Sequence, residues 1–343
     1  MKFVFIAPRF HTNFYYLVKT LLDHGHQVDF LALYEGKSED HSLVKPIIVG
    51  KPNSRWPLII KLIKQILFSQ ADVLIIKDIV TPYSLIALTT GFLLRKKMLA
   101  LTQIPKYRAQ LVSGAVTWLW RVFHTEAITP VQGDLRFSNG NPTLWYVPFV
   151  IEANDKPYEA HPDVGQINIL CVGKFQTRKN QLLLVQAVEQ LCQEFPLKLL
   201  LAGEVEEFSY FEKLQHYIHN HNLDSIVTIV PHLPWAKMSD LYRASDIFVL
   251  PSSGEPAAYS ILEAMSYGLP VVSSDDNGTQ WYIKSNSNGF IFRHDDLADL
   301  ILKLRTILGD KAKLKVMGGV SLQLTKQLHQ PVIFYQKVMA IIN

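Results

Sequence analysis

Two carboxylates, Glu255 and Glu263, stand eight positions apart in the stretch Gly254-Glu255-Pro256-Ala257-Ala258-Tyr259-Ser260-Ile261-Leu262-Glu263. Glu255 falls in a loop containing glycine and proline. Glu263 falls about one turn into an expected helix, opened by the small residues Ala257 and Ala258. The first backbone N–H groups of a helix lack partners and carry partial positive charge, which suits a pyrophosphate. A carboxylate one turn in can accept two hydrogen bonds from vicinal ribose hydroxyls, and one in the preceding loop can hold the hydroxyls of a sugar. The plainer alternative is a pair of solvent-facing acids. A second segment, Val172-Gly173-Lys174-Phe175-Gln176-Thr177-Arg178-Lys179-Asn180, gathers three cations behind a glycine. Gly173 permits close approach of backbone. Lys174, Arg178 and Lys179 could neutralise a leaving diphosphate, or could form a solvated basic turn.

Both segments follow short apolar runs. Strands are expected at 167–172, 197–201, 226–230, 247–250 and 271–273, and helices at 180–194, 210–220, 237–243 and 259–267. An earlier series places strands at 2–7, 27–33, 73–76, 98–102 and 127–129, with helices at 13–24, 82–94 and 111–123. Such alternation implies parallel sheets covered by helices. The pattern weakens between 150 and 165, a polar stretch with prolines that reads as a linker. The two carboxylates and the basic loop therefore belong to one rim of one sheet, where open α/β sheets bind ligands.

The 343 residues fit two domains of roughly 150–170 residues. With 48% apolar and 19% charged residues, there is material for two cores. A net charge of +4, with no arginine-rich run and no zinc-finger spacing, gives no reason to expect nucleic acid as a partner. Cys171 and Cys192 read as strand and helix residues, not as a disulfide framework, so a reducing, cytoplasmic setting is expected. The apolar start at 2–7 is too short for a signal peptide. The segment 79–94, the most membrane-like, falls short of a span.

The residues from Glu255 to Glu263, with Ala264-Met265, Gly268 and Pro270-Val271-Val272 after them, resemble the E-x7-E signature of glycosyltransferase family 4. Gly173-Lys174 through Lys179 resembles the G-R-x4-K loop of that family. Residues 244–252 and Leu201-Ala202-Gly203-Glu204 resemble two of its strand ends. The likeness is strong over residues 165–295 and loose elsewhere.

The resemblance implies an α/β chain of the GT-B fold, with two doubly wound Rossmann-like domains facing across a cleft. Residues 1–150 would bind the acceptor and 165–320 the nucleotide sugar, while 321–343 would be a helix crossing back to the first domain. It implies a retaining, metal-independent glycosyltransferase without a cofactor, using a UDP- or GDP-sugar. Glu263 would bind the ribose, Glu255 the hydroxyls of the donor sugar, and the amides of Ala257, Ala258 and Tyr259 the sugar and diphosphate. Lys179 would bind the diphosphate with Lys174 beside it, at Gly173. An acceptor hydroxyl would attack from the front face, and the leaving diphosphate would take its proton.

Several positions depart from the family pattern. Lys174 replaces an arginine, which keeps the charge and loses the bidentate fork. Pro256-Ala257-Ala258 replaces a Phe-Gly. The first loop, Pro8-Arg9-Phe10-His11-Thr12-Asn13, lacks a glycine pair; His11 is a candidate substrate contact, and Thr12 or Asn13 a candidate helix cap. Gln103 stands where the family often has a histidine, and can bond a hydroxyl but not titrate; His124 lies nearby. No Asp-x-Asp flanked by apolar runs is present, and Asp275-Asp276 and Asp295-Asp296 read as loop acids.

Residues 55–68, 95–97 and 118–121 combine cations with large apolar side chains. They either cover the sheet or rest on a membrane interface. The acceptor would be a glycan or a lipid-linked glycan, and the protein cytoplasmic, with the inner face of the membrane as a peripheral station. Two other classes remain open on this architecture: an inactive nucleotide- or glycan-binding subunit, and a nucleotide-sugar epimerase.

Overall fold

The computed structural model describes residues 1–36, 40–52, 56–78, 80–103, 114–131, 144–154 and 165–343. Residues 111–113 of the expected helix 111–123, 155–164 of the expected linker, and Arg55 lie outside them. The chain divides into two compact units, Met1–Val150 with Pro331–Asn343, and Ile151–Gln330.

The first unit runs β1 (Lys2–Ala7), α1 (Thr12–Asp23), β2 (Gln27–Ala32), β3 (Ile47–Ile48), α2 (Ile59–Phe68), β4 (Val73–Lys77), α3 (Pro82–Leu93), β5 (Lys97–Leu101), α4 (Gly114–Val122), β6 (Glu126–Thr129) and β7 (Leu144–Tyr146). Among the described residues its strands form one parallel sheet in the order β3-β2-β1-β4-β5-β6-β7. The centre of β1 is buried on both faces, which is why it reads as a continuous apolar run and not an alternating one. α2, α3 and α4 cover one face through Leu62, Ile66, Tyr83, Leu88 and Trp120. α1 covers the other through Phe14, Leu17, Val18 and Leu21.

The cap of α1 is a correction to the expectation. The helix begins at Thr12, and His11 Nδ1, in extended backbone, accepts the N–H of Asn13. α3 opens on a capping box between Thr81 and Ser84 with Pro82 at its first position, where a missing N–H costs nothing.

The second unit runs β8 (Ile167–Val172), α5 (Gln181–Leu191), β9 (Leu197–Gly203), α6 (Phe208–Asn220), β10 (Val227–Pro231), α7 (Trp235–Arg243), β11 (Ile247–Leu250), α8 (Tyr259–Ser266), β12 (Val271–Ser274), β13 (Gly289–Phe292), α9 (Leu297–Leu308) and α10 (Lys311–Leu328). Its sheet has the order β10-β9-β8-β11-β12-β13, again parallel. The strand order reverses between β8 and β11. Residues 151–154, read from sequence as linker, are tied to this unit: Ile151 N–H donates to His329 O, and Asn154 N–H to Ser266 O.

The tail expected as one helix over 321–343 is two. α10 ends at Leu328, and α11 (Pro331–Ile342) joins the first unit, where Phe334 and Val338 enter the core beside α1. Pro331 explains the break. It lacks an N–H, disfavours helical backbone at the residue before it, and suits the first turn of a new helix.

Candidate functional site

β8 and β11 are neighbours at the point where the strand order of the second sheet reverses, so the loops leaving their C-terminal ends flank a crevice suited to ligands. The loop after β8 carries the cations and the loop after β11 carries Glu255. Ser253 N–H donates to Arg178 O and joins the two loops directly.

Glu255 is the centre of the site. Its Oε2 accepts from Lys179 Nζ at 2.5 Å and from Arg178 Nη1 at 2.7 Å. Both Glu255 and Lys179 are buried. Burial alone would raise the Glu255 carboxyl; the Lys179 ammonium and the Arg178 guanidinium outweigh it and hold the group below the ordinary carboxylate range. Lys179 ends a short 3-10 turn, Thr177–Lys179, followed by Asn180 in left-handed backbone at φ 53°. That conformation is tolerated by asparagine and turns the chain into α5. Gly173 packs against the lysine stem: a Cβ there would lie in ordinary contact, 3.4 Å from Lys179 Cδ.

Lys174 points elsewhere. Its ammonium is 2.6 Å from Glu206 and 3.8 Å from Glu204, on the loop after β9. Gln181 Nε2 donates to the carbonyls of Gly173 and Lys174 and fixes the backbone of the basic loop.

The Glu255 loop is braced from behind. Gly254, at φ 61°, donates its N–H to Asp276 Oδ2. Glu255 N–H donates to Asp276 O, and Gly278 N–H to Glu255 O. Asp295 Oδ1 accepts from Ser253 Oγ and Asn180 Nδ2, tying both loops to the stretch before α9. Asp276 and Asp295, read as loop acids, thus belong to the support of the site. Asp275 Oδ1 also bonds His294 Nδ1, which raises that imidazole despite some burial. Asp296 caps α9.

Ala257 and Ala258 precede α8 and do not form its first turn. Ala258 is its N-cap, and its N–H donates to Thr279 Oγ1. Tyr259 is the first helical residue and is buried. Glu263, half-buried one turn in, accepts from Tyr242 Oη at 2.7 Å. Burial pushes its carboxyl above the ordinary range, partly opposed by that hydroxyl. Tyr242 in turn stacks on Tyr267 at 5.3 Å between centroids.

The remaining sequence candidates sit in the first unit. His11 caps α1. Gln103 follows β5, and its Nε2 is buried without a hydrogen-bond partner among the described residues. His124, at φ 48°, stacks on Phe92. Sequence reasoning missed Tyr242, Thr279 and the loop-bracing role of Asp276 and Asp295. Arg178 was visible in the basic loop but not ranked as a site residue.

Residues 155–319 match the family described as Glycosyl transferases group 1. That stretch, about half of the chain, is similar to the domain of that family. The sulfoquinovosyl transferase SQD2 of Arabidopsis thaliana is 35% identical to it over 94 residues, which are 26% of this chain and 18% of that one. A D-inositol 3-phosphate glycosyltransferase of Nocardia farcinica is 27% identical over 159 residues, 45% of this chain and 35% of that one. The match thus spans about a third or less of these relatives' own length. The crystal structure of Anabaena Alr3699/HepE in complex with UDP and glucose superimposes with a TM-score of 0.81 at 17% identity, covering 99% of both chains. That likeness shows the fold. The chain has two parallel-sheet, Rossmann-like units of the GT-B fold, and the Glu255–Lys179 cluster lies in the stretch that matches the family model.

Proposed function

We propose that this protein is a retaining glycosyltransferase that moves a sugar from a nucleotide-diphosphate sugar to a hydroxyl acceptor in glycan or glycolipid assembly. The observation that carries the reading is the cluster of Glu255, Lys179 and Arg178 at the switch point of the second sheet, beside the start of α8. The diphosphate would lie along the basic loop, with Lys179 and Arg178 closest and Lys174 at its edge. Glu263 would accept from the ribose hydroxyls and Glu255 from hydroxyls of the sugar. The backbone near Ala257, Ala258 and Tyr259 would approach the sugar and phosphates.

In the reaction the bond from the anomeric carbon to the phosphate oxygen breaks, and a bond to the acceptor oxygen forms on the same face. The acceptor proton passes to the departing phosphate oxygen. The cations stabilise the charge growing on that oxygen, in a buried setting where such stabilisation is strong. They supply the charge for which other transferases use a metal ion. UDP is the first nucleotide to test, because the Anabaena structure of the same fold holds UDP. The acceptor would meet the first unit, where His11 and Gln103 lie at strand ends.

The test is turnover of UDP-, GDP- and ADP-sugars with and without chelator, reading nucleotide release and the anomeric proton coupling of the product. One donor turned over with chelator present, and an α-linked product from an α-linked donor, is the expected result. An inverted product would overturn retention. Absence of turnover with intact nucleotide binding would favour a binding subunit.

A further inference from the structure

α2, α3 and α4 form one layer on one face of the first sheet. Their inward residues are accounted for by that core. Their outward residues are not those of an ordinary solvated layer. Ile60 is 73% exposed, Phe68 78%, Leu93 74% and Trp118 60%, and Trp56, just before α2, is 60% exposed. Ile59, Leu67, Leu85, Phe92 and Val122 are also exposed on these helices. Within α2, Ile60, Lys64 and Leu67 stand at helical spacing on the side opposite the buried Leu62 and Ile66, with Phe68 beside them.

The charge on this layer has one sign. α2, α3 and α4 contain no aspartate or glutamate. Residues 56–125 hold two acids, Asp72 and Asp78, against nine lysines and arginines. Both acids sit at the ends of β4 and not on the helices: Asp72 accepts from the Lys2 N–H, and Asp78 faces Lys77. Lys61, Lys64, Arg95 and Arg121 are exposed among the apolar side chains.

Monomeric soluble proteins seldom present large apolar side chains so closely grouped. Exposed tryptophan and phenylalanine interspersed with lysine suit the boundary of headgroups and acyl chains, with the ammonium groups reaching anionic headgroups. A second copy is a poor occupant, because a two-fold contact would set cations against cations with no acid between them. A span is ruled out for the described helices, none of which is long and apolar enough to cross a membrane.

We infer that the α2–α3–α4 layer is a docking face for an anionic lipid surface, on which the first unit lies without crossing it. The inference stands on the layer alone and is independent of the donor-site reading. It explains why the apolar face is left open by the fold.

The test is co-sedimentation of the full chain with phosphatidylcholine vesicles and with equimolar phosphatidylcholine and phosphatidylglycerol vesicles. The chain is expected to pellet with the anionic vesicles and to be released by salt, as exposed charges are screened. Replacing Lys61→Gln and Lys64→Gln together should weaken that binding about thirtyfold, taking each lysine at about 1 kcal/mol near the surface. Ile60→Ser with Phe68→Ser should weaken it at least as far. All four positions are exposed, and an unchanged melting temperature confirms that each variant is folded. Binding equal to that of the variants, or no binding to anionic vesicles, overturns the inference. So does a dimer in sedimentation equilibrium that Ile60→Ser with Phe68→Ser converts to monomer.

Discussion

Lys179 Nζ and Glu255 Oε2 lie 2.5 Å apart, both buried, on two loops that leave adjacent strands at the reversal of the second sheet. This pair joins the cation and the carboxylate that the proposed chemistry needs, and it also locks the two loops. A buried ion pair is costly to form and more costly to break on one side.

Glu255→Ala should therefore destabilise the chain by about 3–5 kcal/mol, because it leaves the Lys179 ammonium buried without its partner. Lys179→Met should cost less, since Arg178 still faces the carboxylate. The double replacement Lys179→Met with Glu255→Met should recover much of the loss and no activity. Chemical denaturation checks all three. The Glu255 carboxyl is held below its ordinary value, so its contribution is present above the unfolded carboxylate range and is lost as pH falls through the folded value. The double variant should lack that acid limb.

The Glu263 carboxyl is shifted the opposite way from that of Glu255. Its carboxyl is raised above 4.5, first by burial, with Tyr242 partly opposing. Ribose hydroxyls bond more strongly to the carboxylate than to the acid, so affinity for a UDP-sugar should fall as pH drops through this raised value. Glu263→Gln should bind weakly with no such midpoint. Tyr242→Phe removes the hydroxyl that favours the carboxylate and should move the midpoint upward. Calorimetric titration across pH reads both; a midpoint unmoved by either variant would remove Glu263 from the site.

Gly203 ends β9 against the basic loop. A Cβ there would fall 2.0 Å from Gly173 O, on backbone that has no flexible end to yield. Gly203→Ala should cost about 2 kcal/mol or more through this overpacking and shift Lys174 and its loop. Nucleotide binding should weaken well beyond what the stability loss alone explains. Unchanged affinity with reduced stability would separate the loop from the site.

The alternation of strands and helices was legible because buried parallel strands are continuous apolar runs between amphipathic helices. The two-residue β3 and three-residue β7 were not, since so few residues carry no periodicity. Glu255, Glu263 and the basic loop were legible as local patterns. Tyr242 was not: it reaches Glu263 from another helix, 21 residues upstream, with no spacing rule to announce it. Asp276, Asp295 and Thr279 act on the site through loops folded back onto it, and local sequence shows such acids only as loop acids. Lys174 was grouped with Lys179 by proximity in sequence, whereas Glu204 and Glu206 draw it aside. His11 took the cap expected of Thr12 or Asn13 because an imidazole nitrogen can also accept a backbone N–H.

The central claim is that the crevice between β8 and β11 holds a nucleotide diphosphate. The direct measurement is thermal unfolding with UDP, GDP and ADP, wild type beside Glu263→Ala. One nucleotide should raise the wild-type melting temperature, by the equivalent of about 2.7 kcal/mol at a hundred times its dissociation constant. The rise should vanish in Glu263→Ala. No rise with any nucleotide, or an equal rise in the variant, would contradict the claim.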